Sequence, residues 1–342
     1  MAVRKGGPEV EVLARGDGEL FATIDPDEAR EHFRSKDKSL RNKVMRVRTA
    51  VERFIHDGDY LAVGGFGTNR IPTAVCHEIL RQRRRHMGFL GHTSTHDFQI
   101  LAAGEVFDRC DIAYVVGLEA RGLSPNARRY LESGRVRVTE NSNYTLSMRI
   151  KAAAMGVPFM ISRNLMGTHT MDRSASQVVR CPFTGKKLAA HPAIYPDVAV
   201  IHVHESDVYG NCRIKGITIS DLDLARAAKR LIVTTERLIQ NSEIRRDPAS
   251  TDIPYYLVDA VCEVPFGSYP GCMSGEYFSD EEHLREWLAV ERDPAKFARF
   301  LDEHIYDLSY FSEYLELRGG PHRMRALRRK ELLLRNQEED DE

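Results

Sequence analysis

Gly58-Asp-Tyr-Leu-Ala-Val-Gly-Gly-Phe-Gly-Thr-Asn-Arg-Ile-Pro72 starts on a turn, runs through a short apolar strand and breaks at glycine before a proline that suits a helix start. Just before it, Val44, Val47, Val51 and Phe54 recur at helical spacing up to the turn His56-Asp57-Gly58-Asp59. Helix, turn, strand, turn and helix therefore follow in order, the unit from which parallel sheets are built. Gly64, Gly65 and Gly67 let the backbone adopt positive φ and bring N–H groups close to a ligand. Donors at a helix N-terminus suit an anion or a developing oxyanion; the alternative is a tight turn with no ligand. The spacing is neither the dinucleotide fingerprint nor a P-loop.

Beyond this stretch, short apolar runs with strand character occur at Phe89-Leu90, Ile112 to Val116, Val136 to Val138, Val157 to Ile161, Val198 to Val203, Leu231 to Thr235 and Tyr256 to Val264. Helical patterns lie between several of them, at Pro72 to Gln82, Pro125 to Ser133, Tyr144 to Met155 and Asp221 to Lys229. The alternation predicts an α/β fold over residues 41–279, with an open, mainly parallel sheet covered by helices on both faces. Residues 1–40 mix Gly, Pro, Asp and Arg without periodicity and read as an N-terminal extension, on the surface or partly disordered. Residues 280–342 read as a C-terminal helical appendage packing on the domain or on a partner. It has aromatic stripes at Trp287, Phe297, Phe300, Tyr310 and Tyr314, a basic helix from Arg323 to Arg335 and an acidic end from Glu338 to Glu342.

The chain's 49 basic and 50 acidic residues nearly cancel, so no overall charge footprint points to nucleic acid. The run Arg81 to Arg85 reads as a solvated helix end. The six cysteines contain no C-x-x-C pair, which leaves reduced thiols as the expectation. The N-terminal charges are followed by no apolar core of a signal peptide, and no uninterrupted apolar run approaches the roughly 18 residues a membrane helix needs. A cytoplasmic protein without membrane association is expected.

The glycine segment resembles the signature of family I CoA-transferases, α-type subunit, and most resembles the glutaconate CoA-transferase branch. Later blocks agree with that branch in order: Lys151-Ala-Ala-Ala-Met-Gly-Val-Pro-Phe159, Asp197-Val-Ala-Val-Ile-His202 with Tyr209-Gly-Asn211, Ala225-Arg-Ala-Ala-Lys229 leading into Ile232-Val-Thr-Thr-Glu236, and Glu243-Ile-Arg-Arg-Asp-Pro248 with Pro265-Phe-Gly-Ser-Tyr-Pro270. The resemblance spans roughly Val44 to Tyr277. It implies covalent catalysis, in which a glutamate attacks an acyl-CoA thioester, passes through an anhydride and becomes a glutamyl-CoA thioester. That glutamate is expected on a β-type partner chain, because no copy of its motif is found here. Coenzyme A is then a substrate, with no permanently bound cofactor, and the second substrate is a small carboxylic acid. The resemblance assigns Gly64, Gly65, Phe66 and Gly67 to an oxyanion or carboxylate cradle, with Thr68 and Asn69 beside it, and Asn141 further along, as substrate-binding residues.

Arg70 stands where the glutaconate branch has arginine. It reads either as a bidentate partner for the second carboxylate of a dicarboxylic acid or as a surface salt bridge. His92, Thr93 and Ser94, in Gly91-His-Thr-Ser-Thr-His-Asp97, follow a strand end and either line the acid pocket or cap a helix. Glu140 and Asn141 follow another strand end. Glu140 either faces the cleft, orienting substrate or activating water in a hydrolytic relative, or caps the next helix. His202 and His204 share a strand face but lack a third ligand, so no metal site is expected. Asp247, Asp252 and Asp259 read as turn and cap residues.

Two other functions compete. One is hydrolysis of CoA thioesters or ring β-diketone CoA esters on this scaffold, using Glu140. The other is a sugar-phosphate sensor of the kind found in transcription regulators, but residues 1–40 do not read as the helix-turn-helix that precedes such sensors.

Overall fold

The computed structural model describes residues 10–115 and 121–339. In chain order it runs β1 (Val12–Arg15), α1 (Pro26–Ser35), α2 (Val47–Phe54), β2 (Tyr60–Val63), α3 (Thr73–Arg81), β3 (Met87–Gly91), α4 (His96–Ala103), β4 (Phe107–Ile112), α5 (Pro125–Glu132), β5 (Arg137–Glu140) and α6 (Asn143–Met155). Then come β6 (Phe159–Ser162), α7 (His169–Asp172), β7 (Gln177–Arg180), β8 (Lys187–Pro192), β9 (Val198–Ser206), β10 (Cys212–Arg213), α8 (Asp221–Ala227), β11 (Arg230–Leu238), α9 (Asn241–Arg246) and β12 (Ala260–Glu263). Among the described residues there follow α10 (Glu281–Val290), α11 (Pro294–Leu301) running into a π-helical turn (Asp302–Tyr306), α12 (Phe311–Leu317) and α13 (Gly320–Glu339).

The main sheet has the order β12-β11-β9-β2-β3-β4-β5, with every neighbouring pair parallel and β10 antiparallel beside β9. The α/β architecture is the expected one. β2 and β9 sit in its middle, and their apolar runs are buried on both faces, as parallel strands between two helical layers must be. One face carries a core of α2, α3 and α4 residues such as Val51, Ile79 and Leu101; the other packs Leu146, Ile150 and Leu224 from α6 and α8. Local signals set the helix ends. Ser142 forms a capping box with Thr145, and Gly156 ends α6 in the left-handed conformation at φ 67°.

Three expectations differ from the structure. The run Val157 to Ile161 contributes β6 to a separate four-stranded antiparallel sheet, β1-β7-β8-β6, whereas its apolar character pointed to the parallel sheet. Phe159 and Ile161 are exposed while Met160 and Ser162 are half-buried, a one-faced strand that a continuous apolar run conceals. The N-terminal extension supplies β1 to that sheet and the helix α1, whose Ala29 is buried; its strand pairs only with residues far along the chain, so no local pattern announces it. The strand expected at Ile112 to Val116 lies earlier, because Asp108, Arg109 and Asp111 interrupt its apolar signature; Val116 and the last residues of the acidic end lie outside the described residues.

The C-terminal helices pack onto the core of α3. Trp287, Phe297, Phe300 and Tyr314 are buried as their spacing predicts, whereas Tyr310 is exposed. Among the described residues no helix is long and apolar enough to cross a membrane.

Candidate active site

The glycine turn leaves the carboxyl end of β2, where ligands gather in open α/β sheets. Gly64 N–H extends the ladder to Val200 O at 2.8 Å. Gly65 follows at φ 93°, where an added Cβ would lie 2.7 Å from Asn69 O and 2.8 Å from Arg70 O, so only glycine fits. Phe66 and Asn69 then donate N–H groups to each other's carbonyls, both at 2.9 Å, around a two-residue corner of Gly67 and Thr68. Gly67 N–H reaches Thr93 O at 2.9 Å, and Gly65 N–H reaches the Asp221 carboxylate at 2.8 Å.

The N–H groups of Gly64, Gly65, Phe66 and Gly67, the expected cradle, are therefore all engaged within the chain. The start of α3 is engaged as well, with Ala74 N–H donating to Gly267 O at 3.2 Å. Thr68 and Asn69 are half-buried, as are Gly65 and Phe66, and theirs are the polar side chains at the corner. A second loop holds them in place: Cys272 N–H donates to Thr68 O at 2.8 Å, Arg70 N–H donates to Cys272 O at 2.9 Å, and Ser274 N–H donates to Asn69 Oδ1 at 3.2 Å.

Arg70 is neither free nor on the surface. Its side chain is 0 % exposed, its Nη1 lies 2.6 Å from Asp221 Oδ2, its Nη2 donates to Ile217 O, and its Nε is buried without a partner. The surface salt bridge is thus corrected to a buried one, and the second-carboxylate reading meets an arginine already occupied by a carboxylate of its own chain.

Of the loop after β3, Thr93 and Thr95 are stapled to Gly67, Thr95 through its hydroxyl. His92 reaches α6, with Nε2 2.7 Å from Ser147 Oγ and 3.1 Å from Asn143 O, while its Nδ1 lies 3.3 Å from Thr93 Oγ1. Ser94 N–H donates to Tyr114 O at 2.9 Å. Asn141 is buried beside the Asp111–Arg149 ion pair, donating to Thr139 O at 3.2 Å and accepting from Arg149 at 3.2 Å. Glu140 is exposed on β5, three strands from β2, which is roughly 14 Å at about 4.8 Å per strand. The structure brings together the turn, Thr93 and Thr95, with His92 beside Thr93, but not Glu140 or Asn141.

His202 and His204 have protein partners on both ring nitrogens: Thr234 and Glu236 for His202, and Ser274 O and Lys215 N–H for His204. Asp252 and Asp259 accept backbone N–H groups of Ile214 and Leu231 at 2.7 Å each, and Asp259 also pairs with Lys36 at 2.7 Å, so they tie distant segments together where turn and cap roles were expected. Two site residues were missed. From sequence alone Asp221 is marked only as the first residue of a helical pattern. Glu236 looked like the polar end of a strand, yet it is 4 % exposed and accepts from His202, Tyr277 and Phe266 N–H. Burial raises the pKa of Glu236, but these partners outweigh it and hold the carboxylate below its ordinary range.

A strand–turn–helix with a braced glycine corner at the carboxyl edge of a parallel sheet matches a known family along most of the chain. The chain belongs to the Coenzyme A transferase family, whose model matches residues 44–264. It is 33% identical to the A-type subunit of glutaconate CoA-transferase from Acidaminococcus fermentans, over 82% of this chain and 92% of that one. The crystal structure of the A. fermentans enzyme superimposes with a TM-score of 0.80 at 32% identity, covering 83% and 95% of the two chains. The A-type subunit of 3-oxoadipate CoA-transferase from Pseudomonas knackmussii is also 33% identical, over 80% of this chain and 96% of that one. A single-site variant of the decarboxylase AibA/AibB shares the fold with a TM-score of 0.69 at 31% identity, over 76% and 97% of the chains. The protein is a CoA-transferase of the α-subunit type.

Proposed function

We propose that this chain pairs with a β-type partner and transfers coenzyme A between an acyl-CoA and a dicarboxylic acid, with the covalent intermediate on the partner. One observation carries the division of labour. The carboxylates that brace the turn and the loop beside it are engaged within the chain: Asp221 holds Gly65 and Arg70, Glu236 holds His202, Phe266 and Tyr277, and Glu140 stands three strands away. This supports a glutamate supplied by another chain. Its carboxylate attacks the thioester carbonyl, CoA leaves as thiolate and an acyl–glutamyl anhydride forms. The thiolate then attacks the glutamyl carbonyl, releasing the first acid and leaving glutamyl-CoA for the incoming acid.

In this reading Thr68 and Asn69, on the lip of the turn, meet the reacting carboxyl groups, and the preorganised backbone keeps them from relaxing as charge develops. The dicarboxylate preference rests on the relatives named for glutaconate and 3-oxoadipate. The test is to assemble the chain with a β-type partner, incubate the complex with acyl-CoA, trap with borohydride and map the modified residue by mass spectrometry. The reduced glutamate is expected on the partner, and CoA exchange requires added acid. CoA release without an acceptor acid would indicate hydrolysis, and CO2 release without exchange would indicate decarboxylation; either overturns the proposal.

A further inference from the structure

Asp221 grips the glycine turn at both ends. Its Oδ1 accepts Gly65 N–H at 2.8 Å, where the chain leaves β2, and its Oδ2 holds Arg70 Nη1 at 2.6 Å, where the chain turns into α3. The residue is 2 % exposed and packs so closely that a Cβ on Gly64 would lie 2.5 Å from Oδ1. Three non-glycine residues with left-handed backbones converge here: Arg70 at φ 61°, Thr93 at φ 40° and Ile219, two residues before Asp221, at φ 43°. Such conformations are strained and persist only where the surroundings over-determine them.

We infer that Asp221 is a positioning residue for acyl transfer, holding the turn so that Thr68 and Asn69 present fixed groups to the reacting carboxyl, with Arg70 as its counter-ion. The inference rests on the acyl-transfer reading of the turn. Asp221 touches no reactant. It acts through Gly65 and Arg70, which lie on either side of the half-buried corner. Removing its charge leaves a buried guanidinium unpaired, and the turn is then free to shift. A displacement of about 1 Å in a positioning element costs on the order of 100-fold in rate. Arg70 thereby becomes part of the scaffold and not a reader of the substrate's second carboxylate.

The test uses the assembled two-chain enzyme with Asp221→Asn, which preserves shape. Expected is a fall in kcat of about 10- to 100-fold per folded heteromer, with KM for acyl-CoA changed by less than about threefold. The paired variant Asp221→Asn with Arg70→Met, which buries no unpaired charge, should fold and show a similar kcat loss, because the two residues act as a unit. A purely structural role would lower the melting temperature and the folded fraction while leaving kcat per folded heteromer at the wild-type value in both variants, and that result overturns the inference. Losses that multiply between single Asp221→Asn and Arg70→Met variants also overturn it. Failure of the acyl-transfer reading is separate, since wild-type enzyme would then show no CoA exchange.

Discussion

His202 Nε2 lies 2.8 Å from Glu236 Oε1, a hydrogen-bond contact between adjacent strands β9 and β11 with neither side chain more than 2 % exposed. The same carboxylate accepts Phe266 N–H at 2.8 Å and Tyr277 Oη–H at 2.7 Å, so one buried group fixes both ends of the loop that braces the glycine turn. Glu236→Ala orphans all three donors and is expected to destabilise the fold by about 3–5 kcal/mol, and Glu236→Gln by about 1–3 kcal/mol. Urea unfolding of both variants checks the order. Equal stability of Glu236→Ala and wild type would show that the cluster does not hold the loop.

Acceptor choice is expected to be insensitive to Arg70. Its guanidinium is already paired with Asp221 and 0 % exposed. Arg70→Met should lower stability by about 3–5 kcal/mol, because Asp221 is left as an unpaired buried charge. The ratio of kcat/KM for mono- and dicarboxylate acceptors should stay within about threefold of wild type. A selective collapse of dicarboxylate use would mean that Arg70 exchanges Asp221 for substrate.

Gly271 allows a close approach that no side chain permits. An added Cβ would lie 2.2 Å from Thr68 O and 2.7 Å from His96 Cε1. Gly271→Ala must push Thr68 outward, so kcat is expected to fall by about 10- to 100-fold. Gly58→Ala makes the contrast, since nothing lies within 4 Å of its Cβ position and its cost is strain at φ 85° alone. It should destabilise by about 1 kcal/mol without lowering kcat. Steady-state kinetics and melting of the two variants separate these effects.

Acid should loosen the face where the C-terminal helices dock. Burial holds His77, His283 and His304 below their ordinary pKa, and holds His96 at about 3. A depressed histidine contributes stability that is complete above the unfolded pKa, about 6.5, and is lost as pH falls towards the folded value. Asp97 acts in the opposite direction, because burial pushes it up to about 6, and its contribution recovers as pH falls from there. Stability should decline from about pH 6.5 downward, since four histidines of this group, joined at lower pH by Glu286, held at about 2 by His283 and Arg318, oppose the raised carboxyls Asp97 and Glu291. His77 packs against Phe311 and Tyr314 with both ring nitrogens unpartnered. His77→Phe should therefore raise stability by about 1–2 kcal/mol and flatten the pH dependence. A destabilised His77→Phe, measured by melting across that pH range, would contradict this reading.

Local grammar was legible in the chain alone. The apolar runs of β2, β9 and β11 specified buried parallel strands, and Gly65 and Gly67 marked the left-handed positions of the turn. The helices at Thr73–Arg81 and Asn143–Met155 followed from spacing and capping. These features depend on neighbours a few residues apart, so a local pattern carries them. What the turn's donors bind emerged only on folding, because the partners come from distant segments: Asp221 lies 151 residues from Arg70. The same holds for Glu236, for Asp111 with Arg149, and for the second sheet built from β1, β6, β7 and β8. A buried polar residue looks like any surface residue in sequence, and only the approach of a remote donor makes its burial tolerable.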